Sequence, residues 1–201
     1  MAFDGCRMDE SDEIHQIMVQ ESWFGFKFCP RCGASGFKAL DQGRSYRCEE
    51  CQLHYFVNNS AAVACLIINA SGELLLTRRA IDPNKGMLDL PGGFVDPMES
   101  AEEAVRREIR EELNLELTKI SYLISFPNLY PFSKVVVPTV DLAYICEVED
   151  FSQLRPGDDV AAVEFIDPVA IQLDLLCAES MKSIIQHYLK TCVNQNLNLS
   201  T

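Results

Sequence analysis

Ser100-Ala101-Glu102-Glu103-Ala104-Val105-Arg106-Arg107-Glu108-Ile109-Arg110-Glu111-Glu112-Leu113 is the stretch on which the reading of this chain turns. Ser100 stands where a helix N-cap belongs, and Glu103, three residues later, closes a capping box. A turn of about 100° per residue gathers Ala101, Ala104, Val105, Ile109 and Leu113 into one apolar arc. Glu108 and Glu112 fall inside that arc, Glu111 lies at its edge, and Glu102 falls inside it one turn earlier. Arg106, Arg110 and Glu103 fall opposite, towards water. A helix built only for packing does not put carboxylates on its buried side without partners. Residues 108 and 112 are one turn apart with 111 close to both, so their charges repel unless a cation neutralises them. Hard oxygen donors select Mg²⁺ or Mn²⁺, ions that also bridge to phosphate oxygens. The alternative is a solvated helix stitched by Glu–Arg pairs. Gly92-Gly93 just upstream favours the metal, because bare backbone can approach a metal or phosphate closely.

Strand patterns flank this helix. Ala61–Ile68, a Ser71-Gly72 turn and Glu73–Arg78 precede it, and Asp82-Pro83-Asn84-Lys85-Gly86 reads as a loop. Ile120–Phe126, Val135–Cys146 and Val163–Ile166 follow as strands, with the proline-punctuated Pro127-Asn128-Leu129-Tyr130-Pro131 breaking the chain between the first two. Met181, Ile184, Ile185, Tyr188 and Leu189 recur at helical spacing over 178–191. A short helix is expected around Ile14–Val19, and the tail from Asn194 is polar. The order is that of a mixed α/β domain.

Upstream stands a different kind of sequence. Cys29-Pro-Arg-Cys32 and Cys48-Glu-Glu-Cys51 are two Cys-x-x-Cys knuckles separated by fifteen residues. Two thiolates from each tight turn complete a closed tetrahedron around Zn²⁺; a redox Cys-x-x-Cys pair is the competing reading. Gly33, Gly36 and Gly43 suit short hairpins, and Phe37 and Tyr46 can cover the metal. So short a segment has almost no apolar core, which leaves the metal to supply much of its folding free energy. Of the other five cysteines, Cys65 and Cys146 sit in strand-like runs as small buried hydrophobes. An unpaired surplus of thiols argues against an oxidising compartment.

With 48% hydrophobic and 23% charged residues, the chain is neither wholly disordered nor collagen-like. No apolar run approaches the roughly 18 residues that a spanning helix needs, and the acidic start lacks the pattern of a secretory signal. A cytoplasmic protein is expected. Seventeen basic against thirty acidic residues leave a net charge of −13. That field disfavours duplex DNA but not a small phosphorylated substrate, since a bound divalent cation reverses the local sign.

Gly93, Glu99 and Arg107-Glu108-Ile109-Arg110-Glu111-Glu112-Leu113-Asn114-Leu115 together resemble the Nudix box, G-x5-E-x7-R-E-U-x-E-E-x-G-U with U a bulky aliphatic. Only the final Gly departs from it. Asn114 stands there, the other residue that tolerates a left-handed helix end. The resemblance implies an α/β fold, the Nudix α/β/α sandwich with a mixed sheet, preceded by a small four-cysteine zinc ribbon. The boundaries expected are 1–24 for an N-terminal arm, 25–56 for the ribbon and 57–201 for the Nudix hydrolase domain.

That resemblance also implies hydrolysis of the pyrophosphate bond of a nucleoside diphosphate linked to another group. Glu108, Glu111 and Glu112, with the Gly92 carbonyl, would hold Mg²⁺ or Mn²⁺, and Asp159 resembles a further acidic ligand, an exposed turn acid being the alternative. Glu108 or Glu112 would orient or deprotonate the attacking water. Arg107 would steer Glu108, and Glu99 would brace the loop–helix junction. Such metals lower the pKa of bound water and offset charge on the pyrophosphate.

A zinc ribbon before such a domain resembles the NADH pyrophosphatase branch. Ser125-Phe126-Pro127-Asn128-Leu129-Tyr130-Pro131-Phe132-Ser133 partly matches that branch's S-Q-P-W-P-F-P-x-S signature and departs at Phe126, Asn128 and Leu129. Phe126, Tyr130 or Phe132 would stack a base or nicotinamide, or the segment is a proline-shaped loop over the core. NADH is thus the expected substrate, with ADP-ribose the second enzyme reading. A nucleotide sensor or RNA-binding module, acting on an NAD-like RNA cap, is a third. It draws on Lys27, Arg31, Lys38, Arg44 and Arg47, which are otherwise ordinary ribbon surface, while the complete set of box residues argues against a dead site. The branch also implies a homodimer, for which Trp23, Phe24 and Phe26 offer apolar contacts.

Overall fold

The computed structural model describes residues 26–132, 135–157 and 159–193. The expected helix at 14–19, Trp23, Phe24, Ser133 and the tail from 194 lie outside them. Two compact units divide between Asn58 and Asn59, except that Val135 and Val136 group with the first.

The first unit carries β1 (Phe37–Leu40), β2 (Ser45–Cys48) and β3 (His54–Phe56) in one antiparallel sheet of that order. Its core is small: Cys29, Phe37, Tyr46 and Cys48 are buried, with Phe26, Leu53 and Tyr55 packed against them. Phe37 stacks on Tyr46 at 5.2 Å between ring centroids, and Phe26 sets its ring edge-on to Tyr46 and Tyr55. Phe26, offered by the sequence for a contact between subunits, therefore has its ring in this cluster.

The second unit runs β4 (Ser60–Ile67), β5 (Leu74–Arg79), β6 (Leu88–Asp89), α1 (Ala101–Leu113), β7 (Leu117–Phe132), β8 (Val135–Val148), β9 (Val160–Ile166) and α2 (Glu179–Tyr188). Two three-stranded sheets form, in the orders β4-β8-β7 and β6-β5-β9. β4 and β8 are parallel, whereas β5 is antiparallel to β6 and β9, so the strand directions are mixed. Strand side chains alternate between faces, and here both faces are covered. Ala64, Leu66, Leu74, Leu76 and Ala143 pack with Met181, Ile184, Ile185 and Tyr188 of α2. Val63, Cys65, Ile67, Leu75, Tyr144 and Cys146 pack with Ala104, Val105, Ile109 and Leu113 of α1. This is the α/β/α layering expected, with Cys65 and Cys146 serving as buried apolar groups.

The structure corrects two readings. Pro127 and Pro131 do not break the chain, because β7 runs through both. β7 is the outer strand of its sheet, where a residue without an N–H forfeits no ladder bond on its open side. Glu102, placed on the apolar arc by the wheel, is exposed in the first turn of α1, before that arc meets the sheet.

Candidate active site

The site is built where residues 91–95 hang on β4. Cys65 N–H donates to the Pro91 carbonyl at 2.8 Å, Val63 N–H to Gly93 at 2.8 Å, and Val95 N–H to Ala61 at 3.0 Å. Gly92 takes φ +146°, and a Cβ there would stand 2.1 Å from the Val63 carbonyl oxygen. No side chain fits so close to a neighbouring strand. A Cβ on Gly93 would stand 2.5 Å from Glu108 Oε1, so loop backbone and helix carboxylate touch.

α1 starts at Ser100, whose hydroxyl accepts from Glu103 N–H while the Glu103 carboxylate accepts from Ser100 N–H, the capping box expected. It ends at Asn114, held at φ 54° and ψ 40° in the left-handed region. Between those ends one cation organises the glutamates. Arg107 donates to both Glu99 oxygens at 2.9 and 2.8 Å, to Glu108 Oε1 at 2.7 Å, to Glu111 Oε2 at 3.2 Å and to the Phe94 carbonyl at 2.9 Å. Glu99 in turn accepts from Asp96 N–H at 3.0 Å. The Arg107 fork holds the Glu99 carboxyl below its usual range, and Asp96 N–H adds to this.

Glu112 lies apart from that fork. Its Oε2 accepts from Gly92 N–H at 3.0 Å, which ties the helix to the glycine loop. Burial, with the charges of Glu108, Asp89 and Asp159, pushes its carboxyl up to about 8. Burial also raises Glu108, against the pull of Arg107. Asp159, exposed ahead of β9, thus acts electrostatically on Glu112. The turn before it is set against the helix: Gly157 N–H donates to the Glu112 carbonyl at 2.7 Å, and a Cβ on Gly157 would meet the Glu111 carbonyl at 2.4 Å. The oxygens of Glu108, Glu111 and Glu112 turn to Arg107 and Gly92 rather than towards one another. The donor set is nonetheless all oxygen and mutually repulsive, with Glu108 and Glu112 half-buried and Glu111 exposed, the chemistry that a hard divalent cation relieves.

Three neighbours went unnoticed in the sequence. Asp89 in β6 pairs with Arg79 at 2.9 Å, and its charge reaches Glu112. Arg79 also donates to the Tyr130 hydroxyl at 3.3 Å. The Phe94 ring meets Tyr130 edge-on at 5.6 Å, and Tyr130 stacks with Phe132 at 6.3 Å. Phe126 does not join them and packs against the α2 cluster instead. The contacts of Tyr130 with Arg79 and Phe94 link residues 51 and 36 positions apart, and no local pattern announces them.

In the first unit the sulfurs of Cys29, Cys32, Cys48 and Cys51 all lie within 4.8 Å of one another. Cys29–Cys51 and Cys32–Cys48 are each 3.6 Å apart. Four sulfurs tetrahedral about Zn²⁺ at about 2.3 Å stand roughly 3.8 Å from one another, so the cluster fits that ion.

Layering, glycine loop and arginine-organised glutamate helix together define a Nudix fold with the parts of a hydrolase site. Residues 58–188 match the NUDIX domain, and the chain belongs to this family of hydrolases. An ADP-ribose pyrophosphatase of Methanocaldococcus jannaschii is 38% identical over 104 residues, 50% of this chain and 58% of that protein. The NAD-capped RNA hydrolase NudC of Pseudomonas aeruginosa is 32% identical over 107 residues, 53% of this chain and 37% of its own. The matched stretch therefore spans little more than half of the first relative and about a third of the second. A NUDIX hydrolase from Nitrosomonas europaea, 20% identical, shares the fold with a TM-score of 0.64 over 84% of this chain and 93% of that one. Among the described residues no helix is long and apolar enough to cross a membrane.

Proposed function

We propose that the second unit hydrolyses the pyrophosphate bond of a dinucleotide such as NADH, with Mg²⁺ or Mn²⁺ held by Glu108, Glu111, Glu112 and the Gly92 carbonyl and with Asp159 as a further ligand. The observation that carries this reading is the arginine-organised set of glutamates facing a glycine loop too tight for any side chain. When bound, the cation lowers the pKa of a coordinated water and offsets pyrophosphate charge. Arg107 fixes the Glu108 carboxylate, and Glu99 fixes Arg107 through two parallel hydrogen bonds, a geometry that only a guanidinium supplies. Glu108 or Glu112 orients or deprotonates the attacking water. Without a cation, burial and acidic neighbours hold the Glu112 carboxyl up to about 8; as a cation ligand it would be a carboxylate, free to accept a hydrogen bond from the attacking water. Zn²⁺ in the cysteine cluster is structural.

The dinucleotide reading draws support from the rings of Phe94, Tyr130 and Phe132, which offer stacking surface next to the loop that carries Gly93. ADP-ribose is the second reading, favoured by the 38% identical relative so named. An NAD-type cap on RNA, named for the other relative, shares the same pyrophosphate chemistry. We further propose a cytoplasmic homodimer, to be checked by light scattering.

The test incubates zinc-loaded protein and Mg²⁺ or Mn²⁺ with NADH, NAD⁺, ADP-ribose, NAD-capped RNA and deoxynucleoside triphosphates, with Glu112→Gln as control. AMP released from NADH faster than from ADP-ribose, and lost in the control, supports the first reading. Preference for ADP-ribose moves the assignment to the second. No turnover of any of them by folded, metal-loaded protein sinks the hydrolase reading.

A further inference from the structure

Arg79 is the last residue of β5, and its guanidinium is held from three sides. Nη1 donates to Asp89 Oδ2 at 2.9 Å, Nε to the Pro83 carbonyl at 2.8 Å and Nη2 to the Tyr130 hydroxyl at 3.3 Å. Three fixed acceptors leave a planar fork one orientation. The pair is also enclosed, with 18% of the Arg79 side chain and 16% of the Asp89 side chain exposed. Pro83 and Asp89 belong to the same hairpin as Arg79, the one in the loop after β5 and the other in β6. Tyr130 belongs to β7 in the other sheet, so this hydrogen bond crosses from sheet to sheet. Tyr130 is also where the aromatic rings meet. Phe94 sets its ring edge-on to it and Phe132 stacks on it, with 40% and 57% of those residues exposed. Phe94 in turn is tied to the glutamate helix, because its carbonyl accepts from Arg107. One hydroxyl contact therefore fixes the ring that stands between two open ones.

We propose that Arg79 is a positioning residue for the hydrolysis: it holds the Tyr130 ring in the orientation that receives a nucleotide base, and Asp89 holds Arg79. This rests on the reading that the second unit hydrolyses a nucleotide whose base stacks on these rings. A tyrosine side chain turns about two bonds, and a hydrogen bond at its tip stops both. Neither Arg79 nor Asp89 needs to touch the pyrophosphate. The ring meets the base alike in bound substrate and in the transition state, so its misorientation weakens binding without slowing the chemical step. The competing account is that Arg79 only braces the loop from β5 to β6 through Pro83. Arg78 provides the comparison. It donates to the Gly86 carbonyl of that loop at 2.6 Å and pairs with Glu164 of β9. Its hydrogen bonds thus go to the same loop and to β9 rather than to Tyr130.

The experiment is steady-state kinetics of the zinc-loaded full chain with Mg²⁺ or Mn²⁺, on whichever of NADH and ADP-ribose it turns over. Arg79→Lys keeps a charge for Asp89 but cannot span three acceptors, and Tyr130→Phe keeps the ring and loses the hydroxyl. Each should raise KM about 5-fold and leave kcat within about 2-fold. The double variant should be no worse than either single one, since both break the same contact. Arg78→Lys should keep the native KM. Circular dichroism checks folding, and Tyr130→Phe carries the test by itself if Arg79→Lys fails to fold. Native KM in Tyr130→Phe, additive losses in the double variant, or an equal rise of KM in Arg78→Lys overturns the proposal. Tyr130→Ala separates it from the reading beneath it. Native KM there means that the ring binds no base, and the stacking reading falls too. Raised KM in Tyr130→Ala, with native values in Tyr130→Phe and Arg79→Lys, means that the ring binds and only its positioning by Arg79 is wrong.

Discussion

Arg107 makes five hydrogen bonds, four of them to carboxylate oxygens, so the geometry of Glu108 depends on one guanidinium. A lysine there keeps the charge but cannot form the paired bonds to Glu99. Arg107→Lys should therefore lower kcat by about 10-fold or more, the cost of a small misplacement at a reacting centre, with the fold retained by circular dichroism; unchanged kcat would remove Arg107 from the site. Glu112→Gln should cut kcat by about 10²–10⁴ if Glu112 handles the proton. Near-full turnover would leave Glu108 in that role. The same residue gives the metal-free protein a pH dependence. Burial and its acidic neighbours raise Glu112 to about 8, above its value in the unfolded chain. The folded state then keeps a proton that the unfolded state has released, so this stabilising contribution is complete below the ordinary carboxylate range and disappears as pH rises through 8. Calorimetry of zinc-loaded protein free of Mg²⁺ and Mn²⁺ should accordingly find Tm falling from about pH 5 to about pH 8, and Glu112→Gln flattening that trend. A trend that is the same in both proteins would contradict it.

At the level of elements, α1 was legible because its cues are local. Ser100 and Glu103 lie three residues apart, and its apolar residues recur every three or four. Ser100→Ala should cost about 1 kcal/mol, which lowers Tm by about 2–4 °C in a domain of this size; calorimetry reads it, and no change would mean the cap contributes nothing. The other end departs from the family pattern. Asn114 takes the left-handed conformation that Gly adopts freely, and its side chain adds a 2.8 Å hydrogen bond to the Gln153 carbonyl. Asn114→Gly trades that exposed bond for relaxed backbone, so urea midpoints should differ by less than about 1 kcal/mol in stability. Asn114→Val, β-branched at positive φ, should lose clearly more. What stayed illegible had no local signature. Two prolines in β7 read as a break, since nothing nearby says that the strand lies at the edge of its sheet. The Asp89–Arg79–Tyr130 chain and the Phe94–Tyr130 contact exist only because sheet and loop bring distant segments together.

Across the whole molecule the two units differ in what holds them folded. The second encloses two apolar clusters, one beneath each helix, with thirteen and twelve buried residues. Among its described residues the first buries four, two of them members of the four-cysteine cluster. Apolar burial on that scale does not offset about 1–2 kcal/mol of backbone entropy for each residue ordered, and we propose that sulfur–metal bonds supply the balance. Elemental analysis of protein purified under reducing conditions should find one Zn²⁺ per chain. Stripping it with a strong chelator should collapse the amide NMR signals of residues 26–58 into the narrow range of an unfolded chain. Those of β4, β5, α1 and α2 should stay dispersed, because their cores contain none of the four ligands. Cys48→Ser should reproduce the pattern without chelator, since Cys48 is fully buried and supplies one of the four sulfurs. Ribbon signals that remain dispersed in zinc-free protein would mean that the aromatic cluster of Phe26, Phe37, Tyr46 and Tyr55 suffices to fold this unit, and the cysteines would then need another explanation.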